Sequence, residues 1–199
     1  MRSPAKKLND HVAALAECRR CANRGAGVSP VVSLAVAPRV MLVGQAPGQV
    51  EAQGGRPFAG RAGRTLFRWF EQAGIDEITA RRKIYIAAVT RCYPGPSKSG
   101  RGDRVPSMEE QDACAGWLES ELAIIRPKVI IPVGKLAIAR FFREQPLERL
   151  IGKAHVVDKR LVIPLPHPSG ASSWIHQGNH PQLLKDALRL IETHVQPLL

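Results

Sequence analysis

The feature that most restricts the fold is a glycine-rich stretch, residues 44–64, between a buried strand and a helix. It reads GQAPGQVEAQGGRPFAGRAGR and holds six glycines and two prolines, which predicts a loop without regular structure. The apolar run RVMLV at 39–43 predicts the strand, and apolar residues at helical spacing from Thr65 predict the helix. A long glycine-rich loop at the carboxyl end of a strand is where open α/β sheets bind ligands. The stretch matches neither the dinucleotide-binding pattern GxGxxG nor the P-loop pattern, so neither fold is predicted.

The rest of the chain alternates apolar runs with helical patterns. Further buried strands are predicted at 83–89, 129–134 and 161–165. Helices are predicted at about 3–17, from about 63, at 107–125 with Ser107 as N-cap and Glu110 at the third position, at 135–142, and from near Pro181. Strands separated by helices imply right-handed crossovers and a parallel sheet covered on both faces. We expect one domain over residues 1–199, of the α/β class: a three-layer α/β/α sandwich around a roughly four-stranded parallel sheet.

The charge balance indicates a polyanionic partner. Lysine and arginine number 29 against 17 aspartate and glutamate, which gives a formal net charge of +12. Nucleic acid is the first interpretation and an anionic membrane surface the second, while a basic surface kept for solubility is the alternative to both. No apolar run approaches the roughly 20 residues needed to span a bilayer, and the polar amino terminus is unlike a signal peptide. We expect a cytoplasmic, monomeric protein without a membrane partner.

The four cysteines indicate a metal site. Cys18 and Cys21 form a C-x2-C pair, which is followed by 70 residues, Cys92, 21 residues and Cys114. In a reducing compartment, cysteines favour metal binding over disulfides, and this spacing is not that of a zinc ribbon. Four thiolates from separate segments can bind a [4Fe–4S] cluster or a zinc ion. Four unrelated buried thiols are the alternative.

Two motifs resemble those of the iron–sulfur uracil-DNA glycosylases. The first is GQAPG at 44–48, followed by GRPFAG at 55–60 and AG at 62–63, and the second is HPSG at 167–170. The order and context of the four cysteines are similar as well, so the resemblance runs from Cys18 to the final helix. It implies a monofunctional enzyme that hydrolyses the bond between deoxyribose and uracil, or a related deaminated base, in DNA. It also implies a structural [4Fe–4S] cluster on Cys18, Cys21, Cys92 and Cys114, with zinc as the runner-up.

The resemblance further implies roles for individual residues. His167 would donate a hydrogen bond to O2 of the flipped base, on which Phe58 would stack. The backbone of Gln45 and Ala46 would contact the edge of the base. Glu51 aligns with an acidic residue of the family and is the candidate catalytic carboxylate, although it could equally be a solvated loop acid. Gln45 is counted with the catalytic candidates, and Ala88 with the substrate-binding residues. The predicted DNA contacts are Pro47, Gly48, Arg56, Lys98, Arg101, Ser169 and Gly170.

The sequence also departs from the family pattern at the predicted site. Gln45 stands where one iron–sulfur branch has Glu, and Ala46 stands where the classical enzymes have a catalytic Asp. Ala88 replaces an Asn that reads uracil in many members, and Arg61 replaces the catalytic Asp of another branch. No histidine occurs in the basic loop 97–104, so we predict no covalent trapping of the abasic sugar. Two alternatives therefore stay open: a catalytically impaired homologue that binds uracil-containing or abasic DNA, and a hydrolase of free nucleotides or nucleosides.

Overall fold

A computed structural model describes residues 3–21, 29–34, 38–99, 102–142, 144–169 and 174–199. Its helices and strands, in chain order, are α1 Pro4–Ala16, β1 Val40–Gly44, α2 Gln49–Gly54, α3 Arg61–Gln72, α4 Glu77–Lys83, β2 Ile84–Ala88, α5 Met108–Ile125, β3 Val129–Pro132, α6 Lys135–Ile138, α7 Leu147–Leu150, β4 His155–Val157, β5 Arg160–Val162 and α8 His180–His194. Short 3-10 helices lie at Trp174–His176 and Gln196–Leu198.

The strands form one sheet in the order β2-β1-β3-β5-β4. β1 pairs in parallel with β2 and β3, and β3 with β5, whereas β4 runs antiparallel to β5. The predicted α/β class is confirmed; the sheet is parallel as predicted except at β4, and it has five strands where about four were expected. Sequence reasoning missed β4 because Asp158 and Lys159, which join it to β5, adopt left-handed backbone (φ 46° and 63°) without the glycine that usually marks such a hairpin.

The core lies on both faces of the sheet. Every residue of β1 is buried, so alternate side chains enter opposite clusters. Val40 and Leu42 pack with apolar residues of α3 and α8. Met41 and Val43 pack with apolar residues of α1 and α5. This alternation gives three layers, as predicted.

The prediction of a structureless loop at 44–64 is wrong over residues 49–54, which form α2. Gln, Glu and Ala are good helix formers, so the flanking glycines do not prevent a short helix between them. Glu51, at the third helical position, accepts a hydrogen bond from the backbone N–H of Gly48 at 3.1 Å. Gly55 ends the helix with φ 64°, a left-handed conformation that favours glycine.

The remaining helices agree with expectation except at α4, α6 and α7, of which α7 was not predicted. Ser107 Oγ accepts from the backbone N–H of Glu110 at 3.3 Å, and Glu110 accepts from that of Ser107 at 2.8 Å, so the predicted capping box starts α5. α4 was not predicted, although Asp76 caps it by accepting from the backbone N–H of Thr79 at 2.8 Å. The helix predicted at 135–142 is shorter, since α6 ends at Ile138.

Candidate active site

A cleft of about 830 Å³ opens at the carboxyl ends of β1 and β2. The register places Gly44 beside Ala88 at the last positions of these strands, and the N–H of Thr90 donates to the carbonyl of Gln45 at 3.2 Å. Predicted site residues from four separate stretches of the chain meet at this cleft, because the carboxyl ends of parallel strands lie at one edge of a sheet. The predicted site residues that line the cleft are Gln45, Ala46, Pro47, Gly48, Glu51, Phe58, Ala88, His167 and Ser169.

Phe58 is held in the cleft by two glycines. Its ring lies over Gly44, where an added Cβ would be 3.1 Å from Cζ of Phe58. An added Cβ at Gly63 would overlap the carbonyl oxygen of Phe58. Phe58 itself has φ 51°, which is unusual for a bulky side chain. The glycines at these two positions therefore let the turn fold tightly and present the ring to the cleft.

Glu51 is a buried acid rather than a solvated one. Only 9% of the residue is exposed, and it lines the cleft. One carboxylate oxygen accepts from the N–H of Gly48 at 3.1 Å, and the other accepts from the N–H of Gly60 at 2.8 Å. An added Cβ at Gly60 would be 3.2 Å from Oε1, so this position also favours glycine. The carboxylate thereby ties the two ends of the glycine-rich stretch together.

The ring of His167 is held by Ser169, in its own motif, and by Gly134, which follows the strand β3. The N–H of Ser169 donates to Nδ1 at 3.2 Å, and Ser169 Oγ lies 2.9 Å from the same nitrogen. Nδ1 therefore accepts, which leaves the ring hydrogen on Nε2. Burial lowers the pKa of His167, so the neutral ring is favoured at neutral pH. Gly134, which follows β3 with φ 86°, lies so close that an added Cβ would be 2.9 Å from Cδ2 of His167.

A second carboxylate, Asp103, lines the cleft and was missed by sequence reasoning. The loop after β2 folds back on itself: Ser97 N–H donates to the carbonyl of Gly102 at 2.9 Å, and Pro96 pairs with Asp103 as an antiparallel bridge. An added Cβ at Gly48 would lie 2.9 Å from Asp103 Oδ2 and 2.8 Å from Glu51 Oε2. The two acids therefore flank Gly48, and Asp103 is the more exposed of them.

The remaining predicted DNA contacts lie elsewhere. Arg56 donates to Glu77 Oε1 at 2.9 Å on the surface, and neither residue lines the cleft. Lys98 is exposed in the loop after β2, outside the cleft. Arg101 and Gly170 lie outside the described residues. Of the predicted DNA contacts, Pro47, Gly48 and Ser169 line the cleft, whereas Arg56 and Lys98 do not.

Two of the predicted cysteine ligands, Cys18 and Cys21, lie near a third, Cys114 of α5. Burial raises the pKa of the Cys114 thiol, Cys21 and Cys18 act in the same direction, and the backbone and charge of Arg91, which precedes Cys92, act in the opposite one. Arg20, between the two amino-terminal cysteines, places its guanidinium 4.8 Å from the ring centre of Trp117. In the described part of the chain, however, no three His, Cys, Asp or Glu side chains form a ready-made metal site.

Arg91 supplies a test of whether an anionic group fits beside these cysteines. Its side chain is 2% exposed and pairs with the buried carboxylate of Glu121 through Nη2. Within the described residues, its buried Nε and Nη1 have no hydrogen-bond partner. The charge of this guanidinium acts on the Cys114 thiol, and its unpartnered donors suit a group with negatively charged sulfur, so the residues present fit the chemistry of a thiolate-bound cluster.

The fold and the cleft define an α/β protein with an open cleft at the carboxyl edge of its sheet. The family model of the uracil DNA glycosylase superfamily matches residues 32–191, so the chain belongs to that superfamily. The family resemblance seen in the motifs is thereby confirmed. No helix among the described residues is long and apolar enough to cross a membrane.

The curated relatives include uracil-DNA glycosylases of type 4 and of type 5. A type-4 uracil-DNA glycosylase of Thermotoga maritima is 36% identical over 141 residues, which cover 66% of this chain and 65% of that protein. A type-4 uracil-DNA glycosylase of Archaeoglobus fulgidus is 30% identical over 174 residues, 82% of each. A type-5 uracil-DNA glycosylase of Pyrobaculum aerophilum is 32% identical over 113 residues, 50% of this chain and 46% of that protein. The chain thus spans just under two thirds of the Thermotoga protein.

Proposed function

We propose that this protein hydrolyses the N-glycosidic bond between deoxyribose and uracil, or a related deaminated base, in DNA. The observation that carries the proposal is that Phe58, Glu51 and His167 line one cleft in a member of the uracil DNA glycosylase superfamily. The reaction leaves a free base and an abasic site. No lysine lines the cleft among the described residues, which supports base excision without lyase chemistry.

His167 stabilises the leaving base. Bond cleavage produces a uracil anion, whose charge is spread onto O2. A neutral imidazole with its hydrogen on Nε2 donates to that oxygen without carrying a charge that would have to be removed first. Ser169 and Gly134 hold the ring in a single orientation, so the donor is positioned before the reaction begins.

Glu51 is the proposed catalytic carboxylate. The sugar develops positive charge as the bond breaks, and a fixed carboxylate stabilises that charge or orients the attacking water. Both oxygens of Glu51 accept loop N–H groups, yet each has a further lone pair that can accept from water. We expect Glu51→Gln to lower kcat by about 100-fold or more. Asp103→Asn has the smaller effect because Asp103 is more exposed, and the reverse order would transfer the role to Asp103.

We expect this cleft to select bases differently from a cleft that has an asparagine at the position of Ala88. Ala88 presents only a methyl group at the edge of the cleft, so it offers no hydrogen bond that would reject cytosine. Gln45 and Ala46 contribute backbone groups at the same edge. We therefore propose a range of deaminated bases rather than uracil alone, to be compared as uracil, hypoxanthine and xanthine substrates.

DNA is the proposed partner because of the charge of the chain. A net charge of +12 supports a polyanionic substrate over a free nucleoside. Pro47, Gly48 and Ser169 lie at the cleft, where small residues let backbone amides approach phosphates. Lys98 and Arg101 belong to the basic loop and are proposed to contact the backbone further out. Binding should weaken steeply with added salt for DNA, whereas hydrolysis of a nucleoside should not.

A [4Fe–4S] cluster on Cys18, Cys21, Cys92 and Cys114 is proposed as a structural cofactor, with zinc as the alternative. The approach of Cys18 and Cys21 to Cys114 and the unpartnered donors of Arg91 support it. Such a cluster would tie the segment after α1 to α5 and to the loop after β2. Purified protein should show sulfur-to-iron absorption in the visible region that Cys114→Ser abolishes. A colourless protein with one bound zinc ion would replace the cluster by zinc.

The activity is tested with an end-labelled oligonucleotide carrying one uracil, followed by alkali to cut abasic sites. Wild type should cut at the uracil, and His167→Ala should lose about 100- to 1,000-fold in kcat, as when one oriented donor is removed. His194→Ala, an exposed histidine of α8, is the matched control and should keep full activity. Retention of the DNA in a gel shift with no release of any of the three bases would indicate a DNA-binding homologue. Cleavage of free nucleosides alone would indicate the hydrolase alternative.

A further inference from the structure

We propose that Arg81, on a helix outside the cleft, is the positioning residue that holds Phe58 in its base-stacking conformation. The stacking part of the proposal rests on the proposed function. Arg81 lies at the carboxyl half of α4 and is 23 residues from Phe58 in the chain. Neither the cysteine pattern nor the glycine-rich motif in the sequence predicts a contact between Arg81 and Phe58.

The contact of Arg81 with the Phe58 turn is bidentate. Nη1 donates to the carbonyl of Pro57 at 2.8 Å, and Nη2 donates to the carbonyl of Phe58 at 2.9 Å. Two adjacent carbonyls thus accept from the two terminal nitrogens of one guanidinium. Such a fork fixes both the position and the orientation of the turn, which a single hydrogen bond does not.

The guanidinium is itself fixed on its other sides. Nε donates to Glu77 Oε1 at 2.7 Å, one turn earlier on the same helix. The guanidinium carbon lies 4.3 Å from the ring centre of Phe67, a core residue of α3. The Arg81 side chain is only 16% exposed. It therefore connects the Phe58 turn to two helices of the scaffold.

The Phe58 turn needs such support because its backbone is unfavourable. A phenylalanine at φ 51° relaxes toward negative φ unless its surroundings oppose the change. A change of φ would swing the ring away from Gly44 and out of the stacking position. The carbonyls of Pro57 and Phe58 lie on either side of the bond that would rotate. Because Arg81 holds both carbonyls, it opposes the change of φ. Lysine has one donor centre and cannot span both carbonyls while pairing with Glu77.

A double-mutant cycle tests whether Arg81 acts through Phe58. Phe58→Ala should lower kcat/KM for uracil DNA by roughly 5- to 150-fold, from the usual worth of a base–aromatic stack. Arg81→Ala should lower it by at least fivefold in the wild-type background and by less than twofold in the Phe58→Ala background. Arg81→Lys should recover only part of the loss. Arg82→Ala, which removes the same charge from an exposed position of α4, should leave kcat/KM unchanged.

A merely structural role would give a different result. In that case Arg81→Ala would cause the same loss in both backgrounds, and the proposal would be overturned while the glycosylase function stood. If Arg81→Ala does not fold, the same cycle is run with Arg81→Lys. Hydrogen exchange of the peptide covering 56–63 gives a readout without activity: it should accelerate in Arg81→Ala and not in Arg82→Ala. Unchanged exchange overturns the positioning role, and a wild type without base release overturns the proposed function instead.

Discussion

Replacing Gly134 with alanine should impair the protein twice, once in stability and once in catalysis. Gly134 follows β3 with φ 86° and ψ 161°, a region of backbone conformation that is essentially restricted to glycine. Forcing a residue with a Cβ into it costs about 1–3 kcal/mol of folding free energy. We expect Gly134→Ala to lower the free energy of unfolding by that amount.

The catalytic effect follows from the position of the added methyl group. Its carbon would lie 2.9 Å from Cδ2 of His167, 3.3 Å from Cβ and 3.4 Å from Cγ. Carbon atoms pack at about 3.5–4.0 Å, so the imidazole must move by roughly half an ångström or more. Displacement of a catalytic group by 1 Å can cost about 100-fold in rate. We expect kcat for base release to fall by about 10- to 100-fold.

The assay measures urea unfolding and single-turnover base release for wild type, Gly134→Ala and a control. Gly178→Ala is the control, since Gly178 has φ 45° but no heavy atom within 4 Å of an added Cβ. It should lose stability through backbone strain and keep its rate of base release. If Gly134→Ala is destabilised but releases base at the wild-type rate, the position of the His167 imidazole does not depend on the absence of a side chain at residue 134. The reasoning then fails.

Two further predictions concern titration and the buried ion pair. Burial lowers the pKa of His167 below that of an unfolded histidine, so base release should fall as the pH drops below about 6.5 and through the folded pKa. Over the same window the wild type should lose stability relative to His167→Asn, because only the unfolded chain takes up the proton readily; urea midpoints that change in parallel between pH 5 and 8 would contradict this. Glu121→Leu should lower the free energy of unfolding by about 3–5 kcal/mol, since it leaves the guanidinium of Arg91 buried without its partner. Arg91→Met combined with Glu121→Leu should recover most of that loss in urea unfolding, and a single variant as stable as wild type would show that water already reaches the pair.

Features that depend on neighbouring residues were accessible from the sequence. The run RVMLV and its three counterparts specified the central strands, and Ser107 with Glu110 specified the start of α5, because strand burial and helix capping act within a few residues. The motifs at 44–63 and 167–170 located the cleft, since residues after parallel strands must meet at one edge of the sheet. Membership of the superfamily was accessible because these motifs resemble those of the family.

Tertiary structure alone decided what surrounds those motifs. Arg81 meets Phe58 across 23 residues, Asp103 meets Gly48 across 55, and Gly134 meets His167 across 33. No local pattern encodes these pairs, because each depends on how loops fold back over the sheet. β4 was missed for a related reason: Asp158 and Lys159 take a left-handed turn without a glycine, and only the pairing with β5 reveals the strand. The sequence by itself thus determined which motif residues reach the cleft, because they follow parallel strands, whereas long-range packing added Asp103 and decided how each group is held there.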